Sequence, residues 1–186
     1  AVPHHLSVIV LKKYGLEGAV GMRQFGGANE VGAAFQQHAI AGAVTSDLRV
    51  APNVPHKLLV NIVDLGIAYS MNMIAVQRDF YHRSSKTVDG LVRGYTEGVA
   101  ALNRDKNRAL KVITKYTRAT DPRFLESQYA DSTAYLERIP RVEQAAVSTI
   151  LEFTDKKGGA VETFADNSIV DRLVAEGFID KLYKKN

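Results

Sequence analysis

Cysteine and tryptophan are absent from this 186-residue chain, and proline is scarce at 5 residues. Without cysteine there are no disulfides, zinc–thiolate sites, iron–sulfur clusters or thiol nucleophiles. No apolar run approaches the roughly 20 residues that span a bilayer. No signal peptide is visible, although a mature chain would have lost one. Internal repeats, low-complexity tracts and coiled-coil heptads are also missing. So are a nucleophile elbow, a Walker loop, a dinucleotide GxGxxG and a glycosidase-like pair of carboxylates. Catalysis therefore has little support, and the chain reads as a binding protein, not an enzyme.

What is present is the composition of a globular protein, 46% hydrophobic and 24% charged. The net charge of +4 is uneven. Residues 86–123 hold 9 Lys/Arg against 4 Asp/Glu, whereas residues 124–186 hold 8 against 11. A basic segment invites a nucleic-acid reading, but these charges are spaced through helical patterns as on a solvated face. No nucleic-acid partner is expected.

The first third reads as alternating helix and strand. A helix is expected from Pro3, with Leu6, Ile9 and Val10 at helical spacing and Gly15 as its left-handed cap. AVGMRQF (19–25) reads as a strand and GGAN (26–29) as a break. A second helix follows, with Asn29 as N-cap and Val31, Ala34, Phe35, His38 and Ala39 on one face. AIAGAVTS (39–46), LLVNIV (58–63) and MIAVQ (73–77) read as further strands. This alternation predicts an α/β fold with a largely parallel sheet covered on both faces. From residue 86 onward the patterns are helical. Val88, Leu91, Val92, Tyr95, Val99 and Leu102 make one stripe, Asp121-Pro122 marks a helix start, and Gly177 ends a helix.

In an open α/β sheet, ligands bind where strands end and helices begin. Those places here are Gly27, Ala28 and Asn29, then Thr45 and Ser46, and the helix start bearing His4 and His5. Unpaired N–H groups at helix starts favour an anionic or polar ligand group. Tyr69 flanks the connector DLGIAYSMN and is a further candidate contact. Adjacent histidines point about 100° apart on a helix, so they do not form a metal pair. No metal and no cofactor are expected.

LKKYGL, GG with Glu30, IAGAVTS, LLVNIVDLGIAY, VQRDFYHR and DNSIVDRLVAEGFIDKLY occur in a fixed order over nearly the whole chain. In that order they resemble periplasmic solute-binding proteins of ABC importers, of the nitrate/sulfonate/taurine and thiamine-pyrimidine-precursor type. The chain looks like the C-terminal two-thirds of such a protein. The resemblance implies a type II periplasmic-binding-protein fold, two α/β lobes joined by hinge strands and incomplete at the N-terminus. Residues 1–68 would be most of the second lobe, 69–72 the hinge, and 73–186 the return to the first lobe. It further implies a small anionic or zwitterionic solute in a cleft between lobes, a membrane permease as partner, and a periplasmic or membrane-tethered location.

The family's loop before the opening helix often carries a Ser or Thr on the ligand. Here Ala1, Val2 and Pro3 stand there, leaving His4 or His5 to replace that contact. Two alternatives share the fold. Pyrimidine synthases of the thiamine pathway carry a cysteine-rich iron motif, which this chain lacks. An effector-sensing domain of a transcriptional regulator would need a helix-turn-helix outside these residues. A lobe without its first strand would expose apolar sheet, so self-association of the fragment is expected.

Overall fold

The computed structural model describes residues 2–45, 54–70, 72–154 and 158–184. The chain divides into two compact units, Ala1–Ile67 and Ala68–Asn186. Among the described residues there is no strand and no sheet. The described residues form an all-α structure, which corrects the expectation of an α/β, type II two-lobe fold with hinge strands.

In the first unit, α1 (Val2–Lys13) forms as expected, with Pro3 in its first turn. It ends in a Schellman motif. Leu16 N–H donates to Leu11 C=O at 2.8 Å, Gly15 N–H donates to Lys12 C=O at 3.0 Å, and Gly15 takes φ +67°. The second helix, α2 (Ala28–Gln36), closes the same way with a histidine in glycine's place. Ala39 N–H reaches Ala34 C=O at 2.9 Å, His38 N–H reaches Phe35 C=O at 3.1 Å, and His38 sits at φ 56°. Leu6, Gly32 and Ala34 are the buried residues of these helices.

The four stretches expected as strands run as irregular chain. Residues 19–25 are exposed throughout, and so are residues 73–77. The stretch 40–45 is irregular after the α2 cap, and Ser46 lies outside the described residues. In LLVNIV, Leu58 and Leu59 are 71% and 82% exposed, and the second half coils into a 3-10 turn, Ile62–Leu65. Asn61 Oδ1 accepts Val63 N–H at 3.2 Å to start that turn, and Gly66 ends it at φ +61°. The physical reason is locality. A helix satisfies its own backbone within one segment, whereas an extended stretch gains its ladder only from a second strand.

The second unit is a helical body. Its elements are α3 (Arg78–Arg83), α4 (Ser85–Arg104), α5 (Lys106–Thr117), α6 (Pro122–Tyr135), α7 (Gln144–Leu151), α8 (Val161–Phe164), α9 (Ser168–Ala175) and α10 (Phe178–Tyr183). The 20-residue α4 is the axis, contacting α3, α5, α9 and α10. Its sequence stripe explains this: Val88 and Val99 are buried, and Val92 packs against the core. Leu91, expected on the same stripe, is instead 50% exposed. Val88, Ile169, Leu173 and Ile179 form the central cluster, ringed by Tyr81, Val92, Phe178 and Tyr183. Thr96, 1% exposed, satisfies its hydroxyl on Val92 C=O at 2.8 Å.

Caps fix the helix ends. Asp105 Oδ1 accepts Arg108 N–H and Asp121 Oδ1 accepts Arg123 N–H, each at 2.9 Å, so Asp121-Pro122 starts α6 as expected. Gly177, at φ +64°, turns the chain sharply between α9 and α10.

Arginines hold the C-terminal helices in place. Arg138 pairs with Asp180 at 2.5 Å and lies 4.4 Å from the Tyr183 ring centroid. Arg141 pairs with Asp171, and Arg104 donates to Leu182 C=O at 2.7 Å.

Candidate functional site

The helix start of α1 places His4 and His5 side by side, with ring centroids 6.1 Å apart and planes at 64°. Gln24 Nε2 lies 3.4 Å from His4 Nδ1, so α1 is tied to the segment that leads into Gly26 and Gly27. Partial burial lowers the pKa of His5, and the cationic groups beside it, His4 among them, lower it further. His5 is thereby kept neutral to lower pH, as a donor–acceptor ring and not a fixed cation.

The N-cap of α2 is Gly27, not Asn29 as expected. Gly27 is extended at φ −169°, and its C=O accepts Val31 N–H at 3.1 Å. Ala28 and Asn29 therefore occupy the first helical turn, exposed. Glu30 lies close to this turn. Its carboxylate folds back so that a Cβ on Gly27 would lie 3.1 Å from Oε2, and one on Gly26 3.9 Å from Oε1. The sequence pattern anticipated a helix start open to an external anion. In the structure the Glu30 carboxylate lies beside that turn, near the positive end of the helix. An anionic ligand group at this helix start would meet the Glu30 carboxylate beside it. A ligand carrying a cation as well can pair with it.

Thr45 is exposed and engaged in a contact, and Ser46 lies outside the described residues. Tyr69 is half-buried in the other unit, where burial pushes its hydroxyl pKa up. The first unit thus holds His4, His5, Gly27, Ala28, Asn29 and Thr45, and the contact through Gln24 links the first of these to the turn before the others.

One feature of the second unit escaped the sequence reading. Tyr81, Ser85, Lys86, Asp89, Ile169 and Arg172 line an open cleft of about 230 Å³ among α3, α4 and α9. Asp89 and Arg172 of this lining belong to a closed ring of charges that continues through Arg93 and Glu176. Asp89 accepts from Arg93 at 2.8 Å and from Arg172 at 2.5 Å, and Arg93 reaches Glu176 at 2.8 Å. Arg172 completes the ring at 3.8 Å from Glu176, and Arg93 also stacks 4.9 Å from the Phe178 ring centroid. Hydrogen bonds from Arg93 and Arg172 hold the Asp89 carboxyl below its usual range. The sequence signal was available: Asp89 with Arg93, and Arg172 with Glu176, are each four residues apart. What it lacked was the knowledge that α4 and α9 lie side by side.

Among the described residues no three His, Asp or Glu side chains converge as metal ligands would, and no helix is long and apolar enough to cross a membrane. No protein-family model, curated protein or solved structure matches this chain.

Proposed function

We propose that this chain is part of the solute-binding component of an ABC-type importer, taking a small zwitterionic or anionic solute of the nitrate/sulfonate/taurine class. The observation that carries the reading is the fixed order of six sequence stretches across nearly the whole chain. The last of them, Asp166–Tyr183, makes the most deeply buried part of the helical body. Asp166 Oδ1 accepts Ser168 N–H at 2.8 Å. Asn167 bonds both backbone groups of Val142, each at 3.0 Å, and Leu173 and Ile179 are 0% and 2% exposed.

Within this reading the solute's anionic group meets the start of α2 and its cationic group meets Glu30, with the adjacent His4 and His5 rings as further polar contacts. A zwitterion satisfies both charges at once, which favours an amino-sulfonate or amino-carboxylate over nitrate. Exposed Leu58, Leu59, Met73 and Ile74 support self-association as a secondary property.

The test is titration calorimetry of the chain with taurine, nitrate, an alkyl sulfonate and a thiamine-pyrimidine precursor. Saturable binding of the zwitterion, weakened about tenfold or more by Glu30→Gln, is expected, since an opposite-charge contact would be lost. Absence of binding across the panel, or binding indifferent to Glu30→Gln and Asn29→Ala, would overturn the reading.

A further inference from the structure

We propose that the outer face of α5 docks on an anionic lipid surface. The helix carries no Asp or Glu in KNRALKVITKYT. Its inner side is settled by packing: Ala109 is 5% exposed, and Lys106 turns toward α6, 2.7 Å from Glu126 and 5.5 Å from the Tyr129 ring centroid. The opposite side presents Arg108, Lys111 and Lys115 at helical spacings of three and four, continued by Arg118 at the C-cap. All four are exposed, and none is ion-paired with a described residue. Beside this stripe, on the same outward arc, lie Val112 and Tyr116, 48% and 75% exposed.

Like charges three and four residues apart weaken a helix, so the row is unfavourable for the isolated fold. A partner of opposite charge removes that penalty. The pattern also selects the kind of partner. Twelve residues give a straight edge of about 18 Å, which suits a flat surface. The apolar residues occupy one margin of the stripe, where an aliphatic side chain and a tyrosine ring can settle at headgroup depth while the cations meet phosphates. Charge attraction of this kind needs no spanning helix. The inference is independent of the solute-binding reading, since α5 belongs to the second unit and the solute residues to the first.

Sedimentation with vesicles tests it. The full chain is mixed with phosphatidylcholine vesicles and with vesicles of three parts phosphatidylcholine to one part phosphatidylglycerol, at low and at physiological salt. Binding to the anionic vesicles alone, falling with salt, is expected. The double variant Lys111→Ala/Lys115→Ala should weaken it on the order of 30-fold, because each cation near such a surface contributes about a fivefold factor. Val112→Ser/Tyr116→Ser should weaken it further at fixed net charge. A control, Lys12→Ala/Lys13→Ala on α1, carries the same charge change and should lose only a few-fold. Equal losses in the two lysine variants would overturn the proposal, as would equal binding to both vesicle types. Binding to duplex DNA with the same lysine dependence, and none to vesicles, would replace it with a nucleic-acid surface. Circular dichroism of each variant establishes that the helices remain.

Discussion

The first unit and the second differ in where their apolar residues go. Of the buried hydrophobic residues, Leu6 and Ala34 belong to Ala1–Ile67, while all the others, from Val88 to Ile179, belong to Ala68–Asn186. The first unit instead leaves Leu58, Leu59, Val20, Met22 and Phe25 exposed. Burial of apolar surface is the main favourable term in folding, so the second unit supplies most of the stability and the first supplies exposed, ligand-accessible chain. The lesson is that good helix caps do not make a core. Both Schellman motifs lie in the first unit, well formed, on helices that bury little.

Substitutions can break this contrast, beginning with the largest effect. Leu173→Ala should cost about 2–5 kcal/mol in denaturant unfolding, because a fully buried leucine leaves a cavity. Leu59→Ala, at 82% exposure, should stay within about 0.5 kcal/mol of the parent. Comparable losses at both positions would show that the first unit hides its apolar chain after all.

Next comes Asn167→Ala, which strips both backbone groups of Val142 of their partner and should cost about 1–3 kcal/mol. An unchanged unfolding midpoint would mean that water replaces the side chain without loss.

Asp89→Asn sharpens the comparison through pH. The Asp89 carboxyl is held below its usual range chiefly by hydrogen bonds from Arg93 and Arg172. A group depressed in the folded state adds stability above its unfolded pKa of about 3.9, and this is lost as pH falls through the lower folded value. At neutral pH the substitution should cost on the order of 1 kcal/mol, reduced by salt because the ring is partly exposed. The gap between parent and variant should narrow as pH drops below about 4. A gap that persists in acid would assign the effect to packing.

The smallest effect belongs to the first unit. His38→Gly relieves a side chain at φ 56° and should raise the stability of that unit by about 0.5–1 kcal/mol, read as slower amide exchange in α2. No change in exchange there would show that α2 opens independently of its cap.

Much of the helical body was legible because its signals are local. Asp121-Pro122, the stripe on α4 and Gly177 each specify something within a turn or two of chain, and the structure follows them except at Leu91, which is exposed. The expected strands do not form, because Leu58, Leu59, Met73 and Ile74 report only that apolar chain is present, not what it pairs with. At the candidate site, the spacing Gly26-Gly27…Glu30 was visible, but it does not reveal that the carboxylate turns back on the glycines. The N-cap lies at Gly27 instead of Asn29, and Glu30 sits beside it. The ring of Asp89, Arg93, Arg172 and Glu176 needed tertiary proximity, which no local pattern carries.

Residue-resolved amide hydrogen exchange on the full chain tests the central claim most directly. The account predicts strong protection in α4, α9 and α10, modest protection in α1 and α2, and none across residues 19–25, 40–45, 58–61 and 73–77. Strong protection of residues 58–61 and 73–77, at a level matching α4, would contradict it, because those amides would then be held in a sheet.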